Sequence, residues 1–169
     1  MQRIILLGFM GSGKSTLSKA LAELMHIPFL DTDALIEQKA GVTINEIFAS
    51  QGEQVFREME SDLIGELFFH KEFVLSVGGG LPAIPGMMER LNALGTTIYL
   101  NVSLEELLRR LISDRSNRPL LKDKSETDLR DQIEQLMAKR ESVYLQANNC
   151  IQKDSLTAEQ LFEILNQRN

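Results

Sequence analysis

Gly8-Phe9-Met10-Gly11-Ser12-Gly13-Lys14-Ser15 has the spacing of a phosphate-binding loop, set between the apolar run Ile4-Ile5-Leu6-Leu7 and a helical pattern. The chemistry asks for these residue types. Glycines let the chain turn back so that successive N–H groups point at one anion, and the N-terminal end of the following helix adds positive potential. Lys14 can then reach the β- and γ-phosphates of a nucleotide, and the Ser15 hydroxyl can ligate Mg²⁺. A strand-to-helix turn that binds nothing is the alternative. The complete eight-residue pattern and its context count against it.

Four other groups carry potential chemistry. Asp31 and Asp33 stand two apart at the tip of a short extended segment, so both can face one side. Asp is favoured in turns and helix caps, which is one reading; the other divides labour, one carboxylate near Mg²⁺ and one accepting a proton or hydrogen bond from a hydroxyl. Gly78-Gly79-Gly80 follows an apolar run. It is either a plain loop or three bare positions that let a ligand come close to the backbone. Arg140 falls inside the helical apolar stripe of Leu129, Ile133, Leu136, Met137, Val143 and Tyr144. A guanidinium facing inward needs a partner, either an internal carboxylate or an anionic ligand in a cleft. Arg57 and Glu60, three apart, have the spacing of an ordinary exposed pair.

The elements that must position these groups alternate. Strands are expected over residues 2–7, 27–30, 73–77, 96–100 and 149–152. The first helix follows the loop with Leu17, Ala20, Leu21, Leu24 and Met25 on one stripe. Short helical pieces at 34–40 and 43–50 are punctuated by Gly41 and Gly52, and a long helix covers 53–69. Pro85 opens a helix to about 94, Ser103 caps another, and two more span about 128–147 and 157–167. Between about 113 and 126 the pattern lapses into basic and turn residues, expected to form a mobile lid. Such alternation implies a parallel sheet covered on both faces, a three-layer α/β sandwich with ligands at the carboxyl ends of its strands.

At 169 residues the chain has the length of one domain. Its net charge of -6 argues against nucleic acid or an anionic membrane as partner, so an anionic ligand must be held by a local basic cluster. The single cysteine, Cys150, allows no internal disulfide. The chain leads straight into a core strand and contains no bilayer-length apolar run, and a cytosolic location is expected.

Taken together, the loop with Thr16, Leu30-Asp31-Thr32-Asp33, Phe56-Arg57-Glu58-Met59-Glu60, Ser76-Val77-Gly78-Gly79-Gly80, Arg118-Pro119-Leu120-Leu121, and Arg140 with Tyr144 resemble the shikimate kinase family. The match runs in order along nearly the whole chain. It implies a nucleoside-monophosphate-kinase-like P-loop fold with a five-stranded parallel sheet in the order 2-3-1-4-5, a substrate-binding segment at about 33–60 and a lid at about 113–126. It also implies ATP-dependent phosphorylation of the 3-hydroxyl of shikimate, with ATP and shikimate as partners, Mg²⁺ as cofactor and the chain acting as a monomer. Carried over, Asp33 binds the reacting hydroxyl and is the candidate base, while Asp31, Ser15 and Ser76 surround Mg²⁺. Arg57 and Arg140 hold the substrate carboxylate, and Gly78, Gly79 and Gly80 line the substrate pocket. The ATP group comprises Gly11, Ser12, Gly13, Lys14, Ser15, Thr16, Arg110, Arg118 and Gln152. Arg118 reaches over the phosphates from the lid, and Arg110 stacks on adenine. The family usually has a proline two residues after the counterpart of Arg140, where this chain has Ser142. A kinase for another small acceptor, such as gluconate or a nucleoside monophosphate, and an ATP-binding module without transfer are the competing readings.

Overall fold

The computed structural model describes residues 2–113 and 126–167. β1 (Arg3–Leu7) is followed by the loop and α1 (Lys14–Met25), then β2 (Phe29–Asp31), α2 (Thr32–Ala40), α3 (Ile44–Leu67) and β3 (Phe73–Ser76). A 3₁₀ turn at Leu81–Ala83 leads to α4 (Met87–Leu94) and β4 (Thr96–Asn101). The chain continues through α5 (Leu104–Ser113), α6 (Glu126–Tyr144), β5 (Asn149–Gln152) and α7 (Ala158–Asn166). The five strands are all parallel and lie in the order β2-β3-β1-β4-β5.

The alternation of side chains along β1 explains the layers. Ile5 and Leu7 face one side, against Ile64 and Leu67 of α3, Leu91 of α4 and Tyr144 of α6. Ile4 and Leu6 face the other, against Leu17 and Leu21 of α1 and Leu161 of α7. A strand buried on both faces reads as a continuous apolar run, and β1 does so because it lies at the centre of the sheet.

Several boundaries differ from the sequence expectation for local reasons. α4 does not open at Pro85: the 3₁₀ turn precedes it, and Gly86, with φ 75°, is its N-cap. α6 stops at Tyr144 rather than 147, because Gln146 and Ala147 donate to Val143 and Tyr144 and so tighten the last turn. The long helix 53–69 ends at Leu67 and joins the preceding piece in one run. Gly52, with φ 85° and ψ 172°, still breaks it where the sequence placed the break.

Candidate active site

The cleft lies at the carboxyl ends of β1, β2 and β3, where a parallel sheet places its loops. Gly13, the residue before α1, has φ 86° and ψ 9°, a left-handed conformation that a side chain would strain. It turns the chain into the helix so that Lys14 is the first helical residue, with its ammonium folded back onto the Phe9 carbonyl at 3.3 Å.

Register brings the next groups together. Asp31 of β2 pairs with Ser76 of β3, and Leu6 of β1 pairs with Ser76 on its other side, so Ser76 ends beside the loop. The Ser15 Oγ lies 3.0 Å from the Ser76 Oγ and donates to Asp31 Oδ2 at 3.1 Å. The other Asp31 oxygen accepts from the N–H groups of Asp33 and Ala34, capping α2. Asp31 is therefore a helix cap, as one sequence reading has it, and also part of a polar site. Two hydroxyls and one carboxylate oxygen form a hard donor set. Such a set fits Mg²⁺, which keeps several waters and takes its remaining ligands from phosphate. Among the described residues no group of three acidic, histidine or cysteine side chains forms an all-protein cage.

Asp33, in the first turn of α2, lines the cleft. Burial pushes its carboxyl above the usual range, and the Asp31 charge pushes the same way, against the pull of Lys14. The buried Thr32 beside it accepts a hydrogen bond from Gly78 N–H at 2.8 Å and so fixes α2 against the glycine run. That run leaves no room for a side chain at two of its three positions as their neighbours stand. A Cβ at Gly78 would lie 2.6 Å from Asp33 Oδ1 and 3.4 Å from Glu60 Oε1; at Gly80 it would lie 2.8 Å from both terminal nitrogens of Arg57. Gly79 accepts a hydrogen bond from the Tyr144 hydroxyl, and a Cβ there would lie 3.7 Å from Arg140 Nη1.

Arg57 and Glu60 are not the exposed pair that their spacing suggests. Glu60 is 1% exposed and accepts from Arg57 Nη1 at 2.6 Å. The reason is visible in the helix: Phe56, Glu60, Leu63, Ile64 and Leu67 form one inward stripe. The test applied to Arg140 would have found it. Burial raises the Glu60 carboxyl above its usual value, while Arg57 draws it down. For Arg57 burial opposes the charge, but the carboxylates of Glu60 and Glu53 outweigh it and keep its pKa above the ordinary value. Arg140 faces the cleft, as the second of its two sequence alternatives requires. Among the described residues it meets no carboxylate; it lies over the Phe9 ring at 5.9 Å, hydrogen-bonds the Tyr144 phenol and lines the cleft.

The cleft holds about 560 Å³. A second cavity of about 470 Å³ adjoins it on the far side of Gly13, Thr16 and Arg110, walled by Leu100 and by the segment from Lys153 to Glu159. Arg110 is bound on three sides: its Nη1 donates to the carbonyls of Gly11 and Ser12 at 3.2 and 3.1 Å, its Nε to Glu106 at 2.6 Å, and its Nη2 to the Asp154 carbonyl. Gln152 is exposed at the end of β5, one residue before that wall begins. Ser12, itself part of the loop, is buried. Arg118 and the lid expected at about 113–126 lie outside the described residues, apart from the lid's two ends in α5 and α6. Thr32 and Glu106 are polar partners to which motif reading gave no role.

A family model described as shikimate kinase matches residues 10–168. A shikimate kinase of Bacteroides fragilis is 42% identical over 156 residues, which covers 92% of this chain and 87% of that protein. The crystal structure of shikimate kinase from Bacteroides thetaiotaomicron superposes with a TM-score of 0.92 at 38% identity, over 98% of each chain. That of shikimate kinase from Acinetobacter baumannii in complex with shikimate gives 0.85 at 35% identity, over 99% of this chain and 92% of that one. With the phosphate loop, the paired aspartates and the arginine-lined glycine run in one cleft, and with the match spanning almost its full length, the chain belongs to the shikimate kinase family.

Proposed function

We infer that this enzyme transfers the γ-phosphoryl group of ATP to the 3-hydroxyl of shikimate, giving shikimate 3-phosphate and ADP on the route to aromatic amino acids. The observation that carries the reading is the composition of the acceptor half of the cleft. Two arginines and two desolvated carboxylates surround a glycine run beside a phosphate loop; Glu60 is held by Arg57, which leaves Asp33 for a hydroxyl, and the arrangement matches an acceptor with one carboxylate and one reacting hydroxyl. The shikimate-bound relative shares this fold along nearly its whole length.

In this reading the N–H groups of Gly11 to Thr16 and the Lys14 ammonium hold the phosphates. Arg57 and Arg140 clamp the acceptor's carboxylate, which orients the ring so that its 3-hydroxyl meets Asp33. Asp33 accepts the hydroxyl proton as the oxygen forms its bond to the γ-phosphorus, and the bond from that phosphorus to the bridging oxygen of ADP breaks. A carboxylate raised above its ordinary pKa suits that task, since it is the stronger base. Ser15, Ser76 and Asp31 would hold Mg²⁺, which supplies charge neutralisation for the phosphates. The second cavity takes the adenine against Arg110, close to Gln152. The segment at about 33–60 supplies acceptor contacts. Arg118 is assigned to the phosphates, and the lid to about 113–126, on the sequence resemblance alone. The enzyme is proposed to act as a cytosolic monomer on small molecules only.

The test is an ADP-release assay with Mg·ATP across a panel of small acceptors. Turnover with shikimate and not with gluconate or nucleoside monophosphates is the expected result. ADP release that no acceptor stimulates would overturn the reading.

A further inference from the structure

Arg57 has no free edge. Its Nε and Nη2 both donate to Glu53 Oε1, at 3.3 and 2.9 Å, and its Nη1 donates to Glu60 Oε2 at 2.6 Å. The remaining edge abuts Gly80, where even a Cβ would come within 2.8 Å of both terminal nitrogens. A carboxylate bound in bidentate fashion requires two parallel N–H groups on one edge. An acceptor's carboxylate can therefore bind Arg57 well only if one internal carboxylate leaves.

Burial decides which one leaves. Glu60 is 1% exposed, and parting it from Arg57 would strand a charge in the interior. Glu53 has a side chain 66% exposed, in the first turn after the break at Gly52, and can swing into water at small cost. We propose that Glu53 is an internal stand-in for the acceptor's carboxylate, holding the side edge of Arg57 and exchanged for that carboxylate when the acceptor binds. Binding is then an exchange of one carboxylate for another. Glu53 sets a threshold: an acceptor with a well-placed carboxylate displaces it, and a neutral analogue cannot.

The inference rests on the proposed clamp role of Arg57 and predicts a gain from a deletion. Glu53→Gln should lower the KM for shikimate roughly two- to five-fold, the range set by an exposed ion pair, with a smaller change in kcat; Glu53→Ala should do the same or more. An acceptor whose carboxylate is reduced to a hydroxymethyl group should show no gain. Glu58→Gln, which removes the same charge from the same helix but touches Gln54 rather than Arg57, should leave the KM where it was. An unchanged or raised KM in both Glu53 variants overturns the inference, as does an equal fall in Glu58→Gln. The clamp itself is tested by Arg57→Ala in the wild-type background. If that variant raises the shikimate KM while the Glu53 variants do not lower it, Glu53 alone has been misassigned. If it leaves the KM unchanged, both readings fall.

Discussion

Asp33 holds its carboxylate against burial and against the neighbouring charge of Asp31, so the fold bears a cost for keeping it ionised. The sign follows from its direction. A carboxyl raised in the folded state contributes stability below the ordinary carboxylate pKa and loses that contribution as the pH rises through the folded value. At neutral pH, Asp33→Asn should therefore melt above the wild type, with the gap closing as the pH is lowered toward the carboxylate range. The same substitution should cut turnover by about 10²- to 10⁴-fold, because the amide cannot take the hydroxyl proton. Thermal melts across pH and single-turnover kinetics read the two effects. A variant that retains turnover would leave Asp33 a structural residue, and one that melts lower at neutral pH would show that its charge is stabilised after all. A gain in stability with a loss of rate is what a group held for function rather than for the fold should give.

At the scale of elements, the glycine run matters because helices press against it from two sides. Gly80→Ala puts a methyl group 2.8 Å from the Arg57 guanidinium, the mobile end of a long side chain. The fold can yield there, so the melting temperature should hardly move while the acceptor's KM rises through displacement of Arg57. A marked loss of stability with normal KM would show that the methyl group meets something rigid instead. Much of this arrangement is legible in the residues. The loop, the strands and the break at Gly52 follow from periodicity and from glycine's conformational range. The Arg57–Glu60 pair is misread from spacing alone, since three residues apart describes adjacency on a helix and not which face is buried. The placement of α4 also escapes the sequence: Pro85 is a favoured first residue of a helix, but the preceding 3₁₀ turn and the left-handed Gly86 postpone the start. The threefold anchoring of Arg110 depends on carbonyls up to 99 residues away in the chain, which no local pattern encodes.

For the molecule as a whole, a chain of net charge -6 gathers Lys14, Arg57, Arg110 and Arg140 around one cleft. Ligands that bind only the folded state should stabilise it in proportion. At roughly 100 times its Kd a ligand adds about 2.7 kcal/mol, which for a chain of this size raises the melting temperature by about 5–10 °C. ADP and shikimate should each give such a shift, and Arg57→Ala should abolish the shikimate shift while sparing that of ADP. Loss of both shifts, or of neither, would contradict separate sites for the two ligands. The central position of β1 has a consequence in time as well as in space. Ile4 to Leu7 are made before either flanking strand, so β1 has no neighbour until β3 is made, about 70 residues later, and its other flank waits for β4. At ribosomal speeds of roughly 5–20 residues per second, the most water-averse segment of the chain spends on the order of ten seconds without its sheet. Until the end of α3 follows, α1 alone can cover one side of it. Nascent chains arrested before Ser76 emerges should therefore be cut readily at Ile4 to Leu7 by a protease, and chains arrested after Asn101 emerges should resist. Equal resistance at both lengths would mean that the young chain shelters this strand by contacts that the finished fold does not keep.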